Sequence, residues 1–126
     1  MKIRTRFAPS PTGYLHVGGL RTALYNYLYA KQNNGEFILR IEDTDQQRLI
    51  PGAKENLINV LTNLNMTYDF GPNKDDQYGP YIQSARLNIY KKHYLQLLES
   101  KKAYVCFVKN DHLLPEENIE KAFNRM

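Results

Sequence analysis

Early in the chain the hydrophobic pattern changes from a period of two to a helical period. Residues 3–8 alternate between apolar and polar side chains, which predicts a short strand, and the turn-forming run PSPTG ends it. From Val17 the apolar positions recur at steps of three and four until the stop signal at residues 33–35, which predicts an amphipathic helix. Its predicted buried stripe is Val17, Leu20, Leu24, Tyr27 and Leu28.

The same alternation of strand and helix continues downstream. Residues 37–41 form a second run typical of a strand, which the polar turn EDTD closes. Pro51 suits the first turn of a second helix, and Ser84 suits the cap of a third helix after a turn-rich stretch. The predicted inward faces are Ala53, Leu57, Val60, Leu61 and Leu64 in the second helix, and Leu87, Tyr90, Tyr94, Leu97 and Leu98 in the third. A strand at 103–108 and a short helix at 116–124 complete the prediction.

This order of elements predicts an α/β fold, a parallel sheet with flanking helices joined by right-handed crossovers. The 126 residues suffice for one hydrophobic core and one domain at most. We find no repeat, low-complexity tract or flexible linker.

Composition narrows the class of protein only modestly. There are 17 Lys and Arg against 13 Asp and Glu, a formal charge of +4, which allows an anionic partner but is also common in ordinary domains. The single cysteine, Cys106, forms no internal disulfide and fits a reducing compartment such as the cytoplasm. No run approaches the ~20 apolar residues of a membrane span, and the start lacks a targeting pattern, so we expect a soluble protein without membrane contact.

Opposite charges follow the two predicted parallel strands. In such sheets ligands collect outside the carboxyl ends of the strands, where Arg6 and Glu42 lie. A small molecule that carries both signs, such as an amino acid, would suit them. The alternative is that Arg6 and Glu42 pair with each other.

The loop PSPTGYLHVGGLRT joins the first strand to the first helix and favours phosphate. Gly18 and Gly19 allow a close backbone approach, and the N–H groups of a helix start attract anions. His16 is placed to donate to phosphate oxygens during phosphoryl or nucleotidyl transfer, although a loop histidine is more often structural. The loop matches neither GxxxxGK[ST] nor GxGxxG.

Two other features leave two interpretations each, and a third argues against a metal site. Asp43, Asp45 and Arg48 either contact a second substrate or form a solvated turn. Tyr25 and Tyr29 either stack on bases or pack against neighbouring layers, and packing is the commoner role. The histidines, Cys106 and the scattered carboxylates lack the spacing of a zinc site, so we expect no metal held by the protein alone.

Taken together, these residues resemble the amino-terminal part of the glutamyl-tRNA synthetases, a family of class I aminoacyl-tRNA synthetases with a Rossmann-like catalytic domain. The resemblance covers about the first hundred residues, in the family's order. It rests on RFAPSPTG at 6–13, HVGG at 16–19, RTALYNYL at 21–28, RIEDTD at 40–45, PGA at 51–53 and GPYIQSARL at 79–87. HVGG is similar to the HIGH signature of class I enzymes, with Gly19 in place of the final histidine.

The resemblance implies a role for each of these positions. Glutamate would be bound by Arg6, Ala8, Ser10 and Glu42, with Arg6 facing a carboxylate and Glu42 the ammonium group. ATP would be bound by Thr12, His16, Gly18 and Gly19, with His16 as the catalytic residue. Asp45 and Arg48 would lie near the acceptor end of the tRNA. Mg²⁺ would accompany the nucleotide.

The implied activity is ATP-dependent activation of L-glutamate to glutamyl-adenylate and its transfer to the 3′ end of tRNA(Glu). Residues 1–102 would form the amino-terminal half of the catalytic domain, and residues 103–126 would begin the acceptor-binding insertion. Because the 126 residues contain no KMSKS-type lysine loop, we expect this chain alone to be inactive.

Some relatives bind zinc through paired cysteines near this insertion. Here Val108 occupies the second position after Cys106, so we expect no zinc. Two alternatives remain, a glutamyl-Q tRNA(Asp) synthetase and a non-catalytic remnant. A glutaminyl enzyme fits less well, since its pattern would place a proline at Ala8.

Overall fold

The computed structural model describes residues 2–104. Contacts divide the chain into two compact units, Met1–Arg86 and Leu87–Met126. The first unit contains strands β1 (Arg4–Phe7) and β2 (Glu36–Leu39) and helices α1 (Val17–Gln32) and α2 (Ala53–Asn63), and the second contains helix α3 (Leu87–Glu99). The proposed division into 1–102 and 103–126 stays a prediction.

Strands β1 and β2 form a parallel pair, as predicted. Their register aligns Arg4 with Glu36 and Phe7 with Leu39. The pairing continues beyond both strands, because the Arg40 N–H donates to the Phe7 carbonyl at 3.0 Å. The Glu42 N–H then donates to the Pro9 carbonyl at 2.9 Å. These bonds hold the EDTD turn against the PSPTG loop.

The turn-rich stretch forms an additional edge along β2, which the sequence pattern did not indicate. The Leu39 N–H donates to the Phe70 carbonyl at 3.0 Å, and the Ile41 N–H donates to the Tyr81 carbonyl at 2.9 Å. Parallel bridges join Ile38 to Phe70 and Ile41 to Ile82. The carboxyl end of β2 is therefore held from both sides.

Helix α1 has the predicted bounds but buries a different face. Ala23 and Ala30 are fully buried in the core with Phe37 and Leu39. Three members of the predicted stripe are exposed instead, namely Val17 (82%), Leu24 (41%) and Leu28 (52%). Alanine side chains let the helix lie close to the strands, and longer side chains at those positions would collide with a close-packed core.

The end of α1 follows the predicted stop signal. The Gly35 N–H donates to the Ala30 carbonyl at 2.7 Å, which closes the last turn. A Cβ atom on Gly35 would lie 2.5 Å from the Ile3 carbonyl oxygen. Only glycine therefore fits between the helix and the strand that it rejoins.

Helix α2 begins at Ala53, two residues after Pro51, which the sequence had placed in the first turn. Gly52 adopts a left-handed conformation (φ 79°), and the Ala53 N–H donates back to the Ile50 carbonyl at 3.1 Å. A tight turn thus precedes the helix. The buried face of α2 is Ala53, Leu57 and Leu61, while Leu64, just past the last turn, is exposed.

Helix α3 differs from its prediction at both its start and its inward face. It begins at Leu87, after a 3₁₀ turn (Gln83–Arg86), so Ser84 is not its cap. No α3 side chain is buried within the described residues, and Leu87 and Leu97 are exposed. The strand predicted at 103–108 lies mostly, and the helix predicted at 116–124 entirely, outside the described residues.

Candidate ligand-binding site at the carboxyl ends of the strands

One face of the β1–β2 pair carries the residues expected to bind an amino acid. Paired residues of parallel strands point to the same side, and alternate residues share a face. The register of Arg6 with Ile38 therefore puts Arg6 and Ala8 on the face that also carries Arg40 and Glu42. Glu42 lies four positions beyond the level of Arg6, about 13 Å along the chain direction.

The two opposite charges do not neutralise each other. Arg6 is exposed, and its side chain makes no hydrogen bond or ion pair with residues 2–104. Glu42 instead forms an ion pair with the Arg40 guanidinium. The alternative expected from the sequence, an Arg6–Glu42 pair, is therefore absent from the described part of the chain. A guanidinium is left for a ligand.

The PSPTG loop is fixed through its backbone, and its polar side chains remain unused. The Glu42 N–H donates to the Pro9 carbonyl at 2.9 Å, and the Ile50 N–H donates to the Pro11 carbonyl at 3.1 Å. Ser10 is exposed and Thr12 is half-buried, and neither hydroxyl hydrogen-bonds to a described residue. Both hydroxyls are thus available beside a rigid backbone.

His16 is the N-cap of α1. Its Nδ1 accepts a hydrogen bond from the Gly18 N–H at 3.1 Å. A neutral ring that accepts at Nδ1 carries its proton on Nε2, so the exposed imidazole offers one N–H donor beside the helix start. A Cβ on Gly18 would lie 2.9 Å from His16 Cε1, and a Cβ on Gly19 would lie 2.9 Å from Leu15 Cδ1. Gly18 therefore leaves room for the capping imidazole, and Gly19 leaves room for Leu15.

The EDTD turn carries two carboxylates with different surroundings, one bonded within the fold and one facing solvent. Asp43 accepts from the Ser84 N–H at 2.8 Å and from the Ser84 hydroxyl at 2.7 Å, which explains why Ser84 does not cap α3. Asp45 pairs with Arg48, whose hydrogen bond lowers the pKa of the Asp45 carboxyl. Of the residues expected near a second substrate, Asp43 is thus occupied within the fold, and Asp45 and Arg48 occupy each other.

Sequence reasoning missed two residues of this region. Arg40 belongs to the RIEDTD motif, but sequence reasoning assigned it no role. Its position two residues before Glu42 on an extended chain nevertheless indicates that the two side chains share a face. The contact of Asp43 with Ser84 spans 41 positions. Such a contact depends on the tertiary fold, so the sequence held no local signal for it.

A cleft of about 350 Å³ lies beside the EDTD turn. It is lined by Pro11, Ile41, Asp43, Leu49, Ile50, Pro51, Lys54, Glu55 and Ile82. Arg6, His16 and Glu42 are not among its walls. The predicted glutamate residues therefore do not line this cleft.

The tyrosines of α1 do not share one environment. Tyr27 packs edge-on against Phe37 with ring centroids 5.6 Å apart. Tyr25 and Tyr29 are exposed, so the packing interpretation favoured for that pair is wrong within the described residues. Neither the Tyr25 ring nor the Tyr29 ring has a charged or polar partner among the described residues.

Residues 2–104 contain neither a cluster of metal-ligating side chains nor a membrane-spanning helix. No three metal-ligating side chains of His, Cys, Asp or Glu type cluster there. None of the described helices is long and apolar enough to cross a bilayer. Cys106 and Val108 lie outside this part, so the expectation of no zinc stays a prediction.

Comparison with known proteins identifies the family. The model of the catalytic domain of class I tRNA synthetases (E and Q) matches residues 2–125. The chain therefore belongs to this family, and its fold is that of part of a Rossmann-like class I catalytic domain, as the resemblance implied.

Within the family, the similar relatives are glutamate–tRNA ligases. The enzyme of Chlorobaculum parvum is 60% identical over 117 residues, which are 93% of this chain and 23% of that protein. The enzyme of Clostridioides difficile is 50% identical over an alignment of 130 positions, which covers 97% of this chain and 26% of that protein. The chain thus spans about a quarter of the length of the curated relatives that it matches.

A solved structure shows the same arrangement. The glutamate tRNA ligase of Elizabethkingia meningosepticum, in complex with its amino acid, superposes with a TM-score of 0.76 at 39% identity. The match covers 99% of this chain and 31% of that one. The resemblance seen in the motifs therefore extends to the backbone.

Proposed function

We propose that this chain is the part of a glutamate–tRNA ligase that binds L-glutamate and ATP for the first step of aminoacylation of tRNA(Glu). The names of the relatives and the amino-acid complex of the Elizabethkingia enzyme support the substrate class. The observation that carries the proposal is the free guanidinium of Arg6 on the face that also holds the Glu42 carboxylate. A zwitterion with an additional carboxylate complements these two charges.

In this proposal the glutamate lies along the strand ends. Arg6 donates to a substrate carboxylate, Glu42 accepts from the ammonium group, and Ala8 and Ser10 line the space between them. Positioning is the main contribution of these groups, since they hold the reacting carboxylate beside the nucleotide without changing its bonds.

The nucleotide would lie at the start of α1. Gly18 and Gly19 let its phosphates approach the backbone, Thr12 adds a hydroxyl, and the N–H on His16 Nε2 donates to a phosphate oxygen as charge develops. A glutamate carboxylate oxygen bonds to the α-phosphorus, and the bond from that phosphorus to the bridging oxygen of pyrophosphate breaks. Mg²⁺ bound with ATP would neutralise phosphate charge, and we assign no residue of this chain to hold it.

The second step would transfer the glutamyl group to the tRNA. A ribose hydroxyl at the 3′ end attacks the carbonyl carbon, and AMP leaves. Asp45 and Arg48 lie on the turn that follows Glu42, next to the activated group, and are our candidates for contacts to the acceptor end. In this proposal, Asp45 and Arg48 give up their mutual ion pair and contact the tRNA instead.

The 126-residue chain alone should form no adenylate, because it contains no lysine loop to stabilise pyrophosphate. The test is ATP–pyrophosphate exchange with glutamate and tRNA(Glu), with His16→Ala as the background. Exchange above that background would refute this part of the proposal.

Binding is the direct test of the site. Calorimetry with ATP–Mg²⁺ and with a non-hydrolysable glutamyl-adenylate analogue should give saturable heat with the unmodified chain. His16→Asn retains an N-cap acceptor, so its stability should stay near that of the unmodified chain, whereas His16→Ala should lose about 1 kcal/mol. Both variants should bind the analogue more weakly.

Two outcomes would contradict parts of this proposal. Full binding by His16→Asn would restrict His16 to capping. Absence of heat with the unmodified, folded chain would instead favour a non-catalytic remnant.

A further inference from the structure

Three charged groups share the candidate glutamate face, but a glutamate site as proposed needs only two of them. Arg6 and Glu42 face the ligand in the proposed function, and Arg40 has no role there. Arg40 lies level with Ala8, which follows Arg6 by two residues, and it precedes Glu42 by two residues. On this face it is therefore the next position after Arg6 and the one before Glu42. Two guanidinium groups thus share a face with one carboxylate, Arg40 two residues before Glu42 and Arg6 about 13 Å from it along the strands.

The structure shows which guanidinium holds that carboxylate. Arg40 pairs with Glu42 Oε1, and only 18% of the Arg40 side chain is exposed. The Arg40 Nε–H is buried and has no acceptor, so Glu42 is the side-chain partner of Arg40 within residues 2–104. Arg6 is exposed and makes no such pair.

This arrangement has a chemical consequence. A carboxylate that is free on this face would attract an unpaired guanidinium of the same face, and Arg6 is such a group among residues 2–104. A pair between Arg6 and Glu42 would consume both ligand-binding charges at once. Because Arg40 holds one oxygen of Glu42, the other oxygen and the whole of Arg6 remain for a ligand.

We infer that Arg40 is a positioning residue that holds the Glu42 carboxylate away from Arg6 and so keeps the glutamate site open. The inference rests on the proposed function, since it assigns the ligand of Arg6 and Glu42. It also makes a separate statement about the free protein, namely that loss of Arg40 lets Arg6 and Glu42 pair.

The experiment uses NMR of the full 126-residue chain and its Arg40→Gln, Arg40→Lys and Arg4→Gln variants. The first measurement is made without ligand. In Arg40→Gln the Hε–Nε signal of Arg6 should shift, and addition of Glu42→Gln should return it to its original position. In Arg40→Lys, where a cation is retained, the signal should stay near its original position.

The second measurement is a titration with L-glutamate. Arg40→Gln should raise the dissociation constant about tenfold, as expected for loss of a charge-assisted contact that orients a ligand group. Arg40→Lys should recover most of that loss. Arg4→Gln is the matched control, because Arg4 is also an ion-paired arginine on this face but lies at the opposite end of the strands.

Each outcome decides either the positioning role of Arg40 or the proposed function. An unchanged Arg6 signal in Arg40→Gln, or an unchanged glutamate affinity, overturns the positioning role. An equal loss of affinity in Arg4→Gln overturns it as well, because the effect would then be one of general stability. If the unmodified chain does not bind glutamate, the proposed function fails, and the ligand-free spectra alone then decide whether Arg40 keeps Arg6 and Glu42 apart.

Discussion

Two arginines on β1 share one face of the sheet and have opposite surroundings. At the amino end, Arg4 forms ion pairs with Glu36 at 3.0 Å and with Asp76 at 2.5 Å. Its guanidinium also lies over the rings of Tyr78 and Phe70, at 4.8 and 5.3 Å from their centroids. At the carboxyl end, Arg6 has no such partner among the described residues.

The difference separates charges that stabilise the fold from charges that serve a ligand. The partners of Arg4 come from β2 and from the turn-rich stretch, so its bonds join segments that are distant in sequence. The guanidinium of Arg6 is solvated and costs little to leave open. An arginine with unfilled hydrogen-bonding capacity at a strand end is therefore the stronger functional candidate.

The largest expected effect is on stability, and it tests whether the amino and carboxyl ends of the strands depend on the same hydrophobic core. Phe37 is fully buried and contacts Tyr27 of α1. Phe37→Ala should lower the free energy of unfolding by about 3–5 kcal/mol, since it removes a large buried side chain and leaves a cavity. Urea denaturation followed by circular dichroism measures this loss.

Tyr25→Ala is the matched control, because Tyr25 is an exposed aromatic residue on α1. It should change stability by no more than about 0.5 kcal/mol. Equal effects of the two substitutions would contradict the described core.

A smaller effect should distinguish the two arginines directly. Arg4→Gln should lower the free energy of unfolding by about 1 kcal/mol, because it removes two partly exposed ion pairs and two ring contacts. Arg6→Gln should change stability by less than about 0.5 kcal/mol. Thermal or urea unfolding of the two variants under the same conditions measures this contrast.

Glutamate binding should show the reverse order. Arg6→Gln should abolish detectable binding in an NMR titration, and Arg4→Gln should leave it near that of the unmodified chain. If the two variants lose stability and affinity in the same proportion, the division of labour between the two ends is wrong.

Local patterns predicted those parts of the fold that depend on local chemistry. Alternation located β1, a run of strand-forming residues located β2, and their parallel pairing followed from the helix between them. The pattern failed for the buried face of α1, because hydrophobicity ranks Leu24 above Ala23 while close packing against a sheet selects the smaller side chain. A helical period predicts that a helix has a buried face more reliably than it predicts which residues form that face.

The candidate site was predictable to the same extent. Strand ends placed Arg6 and Glu42 at one edge from sequence alone, and the structure has them on one face. It was not predictable which arginine holds Glu42, or that Asp43 is committed to Ser84. Such pairings are set by register and by segments that are distant in the chain, and no local pattern encodes them.

The smallest expected effect is confined to acid pH and concerns the stabilising end. Burial works to raise the pKa of Asp76, but hydrogen bonds from Tyr81, the Tyr78 N–H and Arg4 outweigh it and hold that pKa below the ordinary value. A carboxyl with a lowered pKa in the folded state contributes stability above its unfolded pKa, about 3.9, and loses it as pH falls through the folded value. Asp76→Asn removes this contribution.

The expected result is a stability difference between the unmodified chain and Asp76→Asn that is constant near neutral pH and narrows below about pH 4. Urea unfolding at a series of pH values measures it. Asp75→Asn is the control, since Asp75 is exposed and forms no ion pair within residues 2–104. A difference that stays constant down to low pH would mean that the carboxylate charge of Asp76 does not stabilise the amino end, and Arg4 would then be held by Glu36 and by the rings of Tyr78 and Phe70.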